Sequence, residues 1–152
     1  MLAFNESRFS MLIAGALPHL EALRDEFEET INLGTLDGDR VLYLEIVESQ
    51  QSMRLAARRG ARDPLHATAL GKALASLLSD DDVLSLLASA GMKVETMRTI
   101  ATPAHYLEEL TRVRERGFAL DDGEQLRERS REAPLRLARA ATSAGLRSAE
   151  IR

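Results

Sequence analysis

Three histidines, His19, His66 and His105, are the only imidazoles in the 152-residue sequence, and there is no cysteine. The missing thiols exclude a disulfide framework, a thiolate nucleophile, an iron–sulfur cluster and a cysteine-type zinc site. No His-Glu-x-x-His or Gly-x-Ser-x-Gly pattern occurs, so zinc-assisted hydrolysis and a serine nucleophile lack their usual signatures. His105 and Glu108 are three apart on a helix, a spacing that usually marks a solvated face rather than a metal pair. Without a nucleophile–base pair the chain is expected to be no enzyme, and it offers no set of residues that calls for a metal or a cofactor.

Ala69-Leu70-Gly71-Lys72 invites comparison with a phosphate loop. The Walker pattern needs a glycine five residues before its Gly-Lys pair and Ser or Thr after it, and His66 and Ala73 occupy those places. What survives is the chemistry of a helix start, where unpaired N–H groups and the positive dipole end favour an anion unless Thr68 or Asp63 satisfies them internally. Small residues at Ala67, Thr68, Ala69 and Gly71 would let a ligand reach the backbone. Arg54, Arg58, Arg59 and Arg62 place four cations within nine residues, either as a salt-bridged strand end or as a cluster steering an organic acid to that helix.

These residues need a scaffold, and one ordinary domain is the size the length allows. At 45% hydrophobic and 29% charged the sequence is globular rather than disordered. No apolar run approaches a membrane span, and the start has no basic and apolar leader, so a cytoplasmic protein without membrane contact is expected. Residues 1–126 carry 13 basic and 21 acidic groups, a balance of −8 that repels nucleic acid, whereas residues 127–152 carry seven arginines and three glutamates.

Leu12, Ile13, Ala16, Leu17, Leu20, Leu23 and Phe27 form one helical stripe that Pro18 interrupts, which predicts a stable helix from about Leu17 to Glu29. A period of two follows in 30–49, with Asp37-Gly38 between two apolar runs, and predicts a β-hairpin. Ser52–Ala57 suggests a further strand, followed by a loop through Pro64. Three helices come next, the second capped by Ser79 and closed by Gly91, the third opened by Thr102-Pro103 and closed by Gly117. Phe118-Ala119-Leu120 predicts a strand. In 127–152 the apolar residues do not alternate and Pro134 breaks any helix, so a helical or disordered tail is expected.

Several motifs together resemble one family. Thr30-Ile31-Asn32-Leu33-Gly34-Thr35-Leu36-Asp37-Gly38-Asp39, Arg54-Leu55, Pro64-Leu65-His66-Ala67-Thr68-Ala69-Leu70-Gly71-Lys72-Ala73-Leu74, Arg98-Thr99-Ile100-Ala101-Thr102-Pro103 and Arg112 to Glu124 look like the effector-binding domain of IclR-type bacterial transcription regulators. The resemblance implies an α/β (α+β) domain, GAF-like or profilin-like, with a mostly antiparallel sheet flanked by helices. It also implies binding of a small organic acid, assembly as a homodimer or homotetramer, and action on DNA only through a winged helix-turn-helix domain that these residues do not supply. Effector-binding positions carried over from the family fall on Leu55, Ala69, Leu70 and Asp121, with Ser52 and Asp63 matching less closely. The expected organisation is a linker remnant at 1–16, the effector-binding domain at 17–126 and the atypical tail at 127–152. The family's closing strands find no counterpart in that tail, which would leave one sheet edge bare and the pocket open on one side. The alternative is a free-standing GAF-like module, or a truncated subunit, with no direct DNA role.

Overall fold

The computed structural model describes residues 6–50, 58–125, 136–140 and 148–151. After a short 3-10 turn at Glu6–Arg8, helix α1 runs Ser10–Phe27, and strands β1 (Ile31–Asp37), β2 (Arg40–Val47) and β3 (Arg62–Pro64) follow. Helices α2 (Ala69–Ala75), α3 (Asp80–Ala90) and α4 (Pro103–Arg116) precede β4 (Ala119–Asp121), β5 (Arg136–Ala140) and β6 (Ser148–Ile151). The strands form one sheet in the order β3-β2-β1-β6-β5-β4, and every described pair is antiparallel. The expected antiparallel sheet with flanking helices is therefore observed.

The hairpin closes through Gly38 and Asp39, with Gly38 at φ +62°, a conformation costly for any residue with a Cβ. β1 alternates regularly, and the extra residue of the bulge lies on β2, so Ile31 and Leu33 face one side while Asn32 and Gly34 face the other. On the first side Ile13, Ala16 and Leu20 of α1 pack on Ile31, Leu33, Leu42, Leu44 and Val47. On the second side α2, α3 and α4 bury Leu70, Leu74, Val83, Leu87, Tyr106 and Leu110 against Val41 and Tyr43. Both faces are thus covered, which is why β1 and β2 hold few exposed residues.

Four expectations are corrected. The first helix does not wait for Leu17; it begins at Ser10 and continues through Pro18. Pro18 and Ala14, whose carbonyl loses its helical donor, are both exposed, so the break faces solvent while the buried stripe passes uninterrupted beneath it. The tail is not simply helical or disordered: β5 and β6 lie within 127–152 and fill the sheet between β1 and β4. No hydrophobic alternation announces them, because a central strand takes its ladder from backbone groups on both sides and its context overrides residue preference. The bare edge does not arise, since the edges are β3 and β4. The end of the expected loop, Arg62–Pro64, is itself edge strand β3, and the strand expected at Ser52–Ala57 lies outside the described residues.

The helix termini follow their sequence signals. Ser79 Oγ accepts from Asp82 N at the start of α3, and Thr102 Oγ1 accepts from His105 N at the start of α4. Gly117 ends α4 in the left-handed region.

Candidate functional site

α2 is the centre of the candidate site and all seven of its residues are buried. Thr68 caps it: its Oγ1 accepts from Gly71 N at 3.0 Å and donates to the Pro64 carbonyl at 2.9 Å. The internal partner anticipated for one amide is therefore present. The N–H groups of Ala69 and Leu70 have no acceptor among the described residues, as the first turn of a helix requires. Gly71 serves a different purpose from the one its size suggested. A methyl group there would fall on the loop backbone, 2.7 Å from the Leu65 carbonyl carbon and 2.8 Å from its Cα, so the glycine admits Leu65 rather than a ligand. The same Leu65 carbonyl accepts from the Tyr106 hydroxyl at 2.9 Å. Burial, then the Glu124 and Glu109 carboxylates, holds that phenol well above its ordinary value near 10.0.

Lys72 points inward and is 1% exposed. Its ammonium donates to the Leu120 carbonyl and to Glu124 Oε1, the latter at 2.6 Å. This pair fastens α2 to the segment that follows β4. Burial pushes the Glu124 carboxyl above its ordinary 4.5; the Lys72 charge and hydrogen bond pull it back, and Asp121 and Glu109 add to the rise. Glu124 Oε2 is buried without a partner. Loop residues hold the same segment: Thr99 Oγ1 donates to the Glu124 carbonyl at 2.5 Å and Thr96 Oγ1 to that of Gly123 at 2.7 Å.

Four of the six sequence-derived positions converge here. Asp121, 5% exposed, accepts from Glu124 N at 3.0 Å, so it also shapes the turn after β4. Asp63 accepts from the Tyr43 hydroxyl at 3.0 Å and from Gln125 Nε2 at 3.2 Å, which ties β3 to the residues beyond Asp121. Ala69 and Leu70 open α2 beside them, and Leu70 Cδ1 rests on Gly34 of β1. Ser52 and Leu55 lie outside the described residues, as does Arg54.

Of the four clustered arginines, two form salt bridges at the strand end. Arg62 binds Asp37 at 2.7 Å and Arg59 lies 3.5 Å from Glu45. His66 is buried with Nε2 2.9 Å from the Lys93 carbonyl, and no cluster able to hold a metal ion occurs among the described residues. Sequence reasoning passed over Lys72, Glu124 and Tyr106 as working residues. Lys72 alone left a signal, a charge between Leu70 and Leu74 inside an apolar helix stripe. Hydrogen-bonding groups gather round α2 without a nucleophile–base pair among the described residues, an arrangement suited to holding a ligand.

Comparison with known proteins supplies the family. The family model for the bacterial transcriptional regulator IclR C-terminal region matches residues 9–132, starting ahead of residue 17 and passing residue 126. The acetate operon repressor of Salmonella typhimurium is 36% identical over 115 residues, 74% of this chain and 42% of the repressor. The crystal structure of the C-terminal domain of the Escherichia coli regulator KdgR superposes with a TM-score of 0.78 at 31% identity, covering 92% of this chain and 79% of that one. The inducer-binding domain of PobR from Acinetobacter, a double mutant in complex with 3-hydroxybenzoic acid, gives a TM-score of 0.74 at 25% identity, over 91% and 80% of the two chains. The chain spans about two fifths of the length of the curated relatives it matches. No helix among the described residues is long and apolar enough to cross a membrane. The chain belongs to the IclR family of bacterial transcription regulators, regulators rather than enzymes, and corresponds to their C-terminal, GAF-like domain.

Proposed function

We propose that this domain binds a small organic acid as its effector and assembles with its own kind as a homodimer or homotetramer. In the intact regulator, ligand binding would favour one arrangement of the oligomer and so reset the spacing of paired winged helix-turn-helix domains on DNA. The effector would lie at the start of α2, with Ala69 and Leu70 donating backbone N–H groups and Asp63 and Asp121 beside them; Ser52 and Leu55 are further proposed effector-binding residues. The observation that carries this reading is the convergence of Asp63, Asp121 and the open amides of α2 in a chain similar to an inducer-binding domain solved with an aromatic acid. Charge-assisted hydrogen bonds of about 1.5–3 kcal/mol each suffice for millimolar to micromolar binding. The sensor so proposed takes in α1 from Ser10 and strands β5 and β6 as well as residues 17–126, and its place in the cytoplasm belongs to the same proposal.

The test is a thermal-shift screen against small aliphatic and aromatic acids, because a ligand specific for the folded state raises its melting temperature. A hit should weaken tenfold or more in Ala69→Val, whose added methyls narrow the helix start. Calorimetry giving the parent affinity in a folded Ala69→Val protein would place the ligand elsewhere.

A further inference from the structure

Asn32 stands in the middle of β1 and is 4% exposed, yet its side-chain Oδ1 is buried without a hydrogen-bond partner. Folded proteins seldom leave a buried amide oxygen unmet, because it has given up water and received nothing in return. The position in the fold says where a partner would come from. Asn32 and Gly34 share the face of β1 turned towards α2, since the strand alternates without interruption between them. Leu70 Cδ1 rests on Gly34, 3.2 Å from where a Cβ would stand. Two residues of strand span about 6.6 Å, so the Asn32 backbone lies within one small molecule's length of the contact made by the second residue of α2. Ile46, opposite Asn32 in the ladder, packs on the α2 side of the core and offers no donor.

We propose that Asn32 is a specificity-determining residue of the effector site and that its Oδ1 receives a hydrogen bond from a hydroxyl group on the ligand. The inference rests on the effector-site reading above and narrows it: a carboxylate has only acceptors and cannot satisfy Oδ1, so the acid that fits carries a second, donating group. The site then distinguishes a hydroxy acid from the same acid without its hydroxyl, because the second leaves the amide as unmatched as it is in the empty domain.

The experiment uses matched pairs of probes, glycolate and acetate, lactate and propionate, 3-hydroxybenzoate and benzoate, titrated by calorimetry into the full chain and into Asn32→Leu, a substitution of similar volume. In the parent, the hydroxy member of at least one pair should bind about tenfold or more tightly than its partner. In Asn32→Leu that ratio should fall to within about threefold, while the melting temperature without ligand stays level or rises because an unpaired buried oxygen has gone. A hydroxyl preference that persists in Asn32→Leu overturns the assignment, as does its absence from a parent that binds acids. A melting temperature several degrees lower in Asn32→Leu also overturns it, by showing that the amide already works within the fold. A parent that binds none of the six probes, alone or in the wider acid screen, removes the effector-site reading and this inference with it.

Discussion

Gly71→Ala should be among the most damaging single-methyl changes in the domain. The added Cβ would lie 2.7 Å from the Leu65 carbonyl carbon and 2.8 Å from its Cα, and both are backbone atoms that no rotamer change can move aside. Either α2 backs away from the loop or the loop shifts, and the second choice also disturbs the acceptor of the Tyr106 hydroxyl. Overpacking of this kind costs about 1–3 kcal/mol and a disturbed buried hydrogen bond another 1–3, while alanine's better helix propensity returns about 1. The net loss is about 3 kcal/mol, which for a domain of this size lowers the melting temperature by about 6–12 °C. Gly15 is the internal control: it sits in α1 with nothing within 4 Å of its would-be Cβ, so Gly15→Ala should hold or raise the melting temperature by up to about 3 °C. Circular-dichroism melts of both variants decide the matter. A Gly71→Ala protein melting within 2 °C or so of the parent would refute the steric argument for why small residues crowd the start of α2.

Lys72→Met should destabilise the domain by about 3–5 kcal/mol, because it strands the Glu124 carboxylate inside the protein, and the double variant Lys72→Met with Glu124→Leu should recover most of that loss. A urea double-mutant cycle with simply additive losses would count against the pair as a coupled unit. Glu124 also sets a pH dependence. Its folded value is raised, so the favourable contribution of its protonated form is full below its ordinary 4.5 and is lost as pH climbs through the raised value. Urea midpoints of the parent relative to Glu124→Gln should therefore decline over that window, and a difference independent of pH would contradict it.

What the sequence made legible was local chemistry. Asp37-Gly38, Ser79, Gly91, Thr102-Pro103 and Gly117 each act on their own few neighbours, and the hairpin, two helix caps and two helix ends stand where those residues placed them. Pro18 misled because its effect depends on which way the helix faces, which only the core decides. β6 could not be placed from sequence because one of its partners, β1, lies near the other end of the chain, and neither β5 nor β6 carries a hydrophobic alternation that announces a strand. Of the site, Ala69, Leu70, Asp63 and Asp121 could be drawn from a family resemblance. The inward turn of Lys72, its grip on Glu124 and the unmet oxygen of Asn32 emerge only when distant segments are stacked. Each concerns a polar group whose burial no residue type announces.

The position of β6 has a consequence for how the protein comes into being. The last described strand lies beside β1, and only through β6 and then β5 does the hairpin side of the sheet connect to β4. In chain order the first three strands and all four helices precede the strands that join the hairpin side of the sheet to β4. Closure of the sheet is thus a long-range event, and a chain halted after β4 would present the unpaired sides of β1 and β4 to chaperones and proteases instead of a finished sheet.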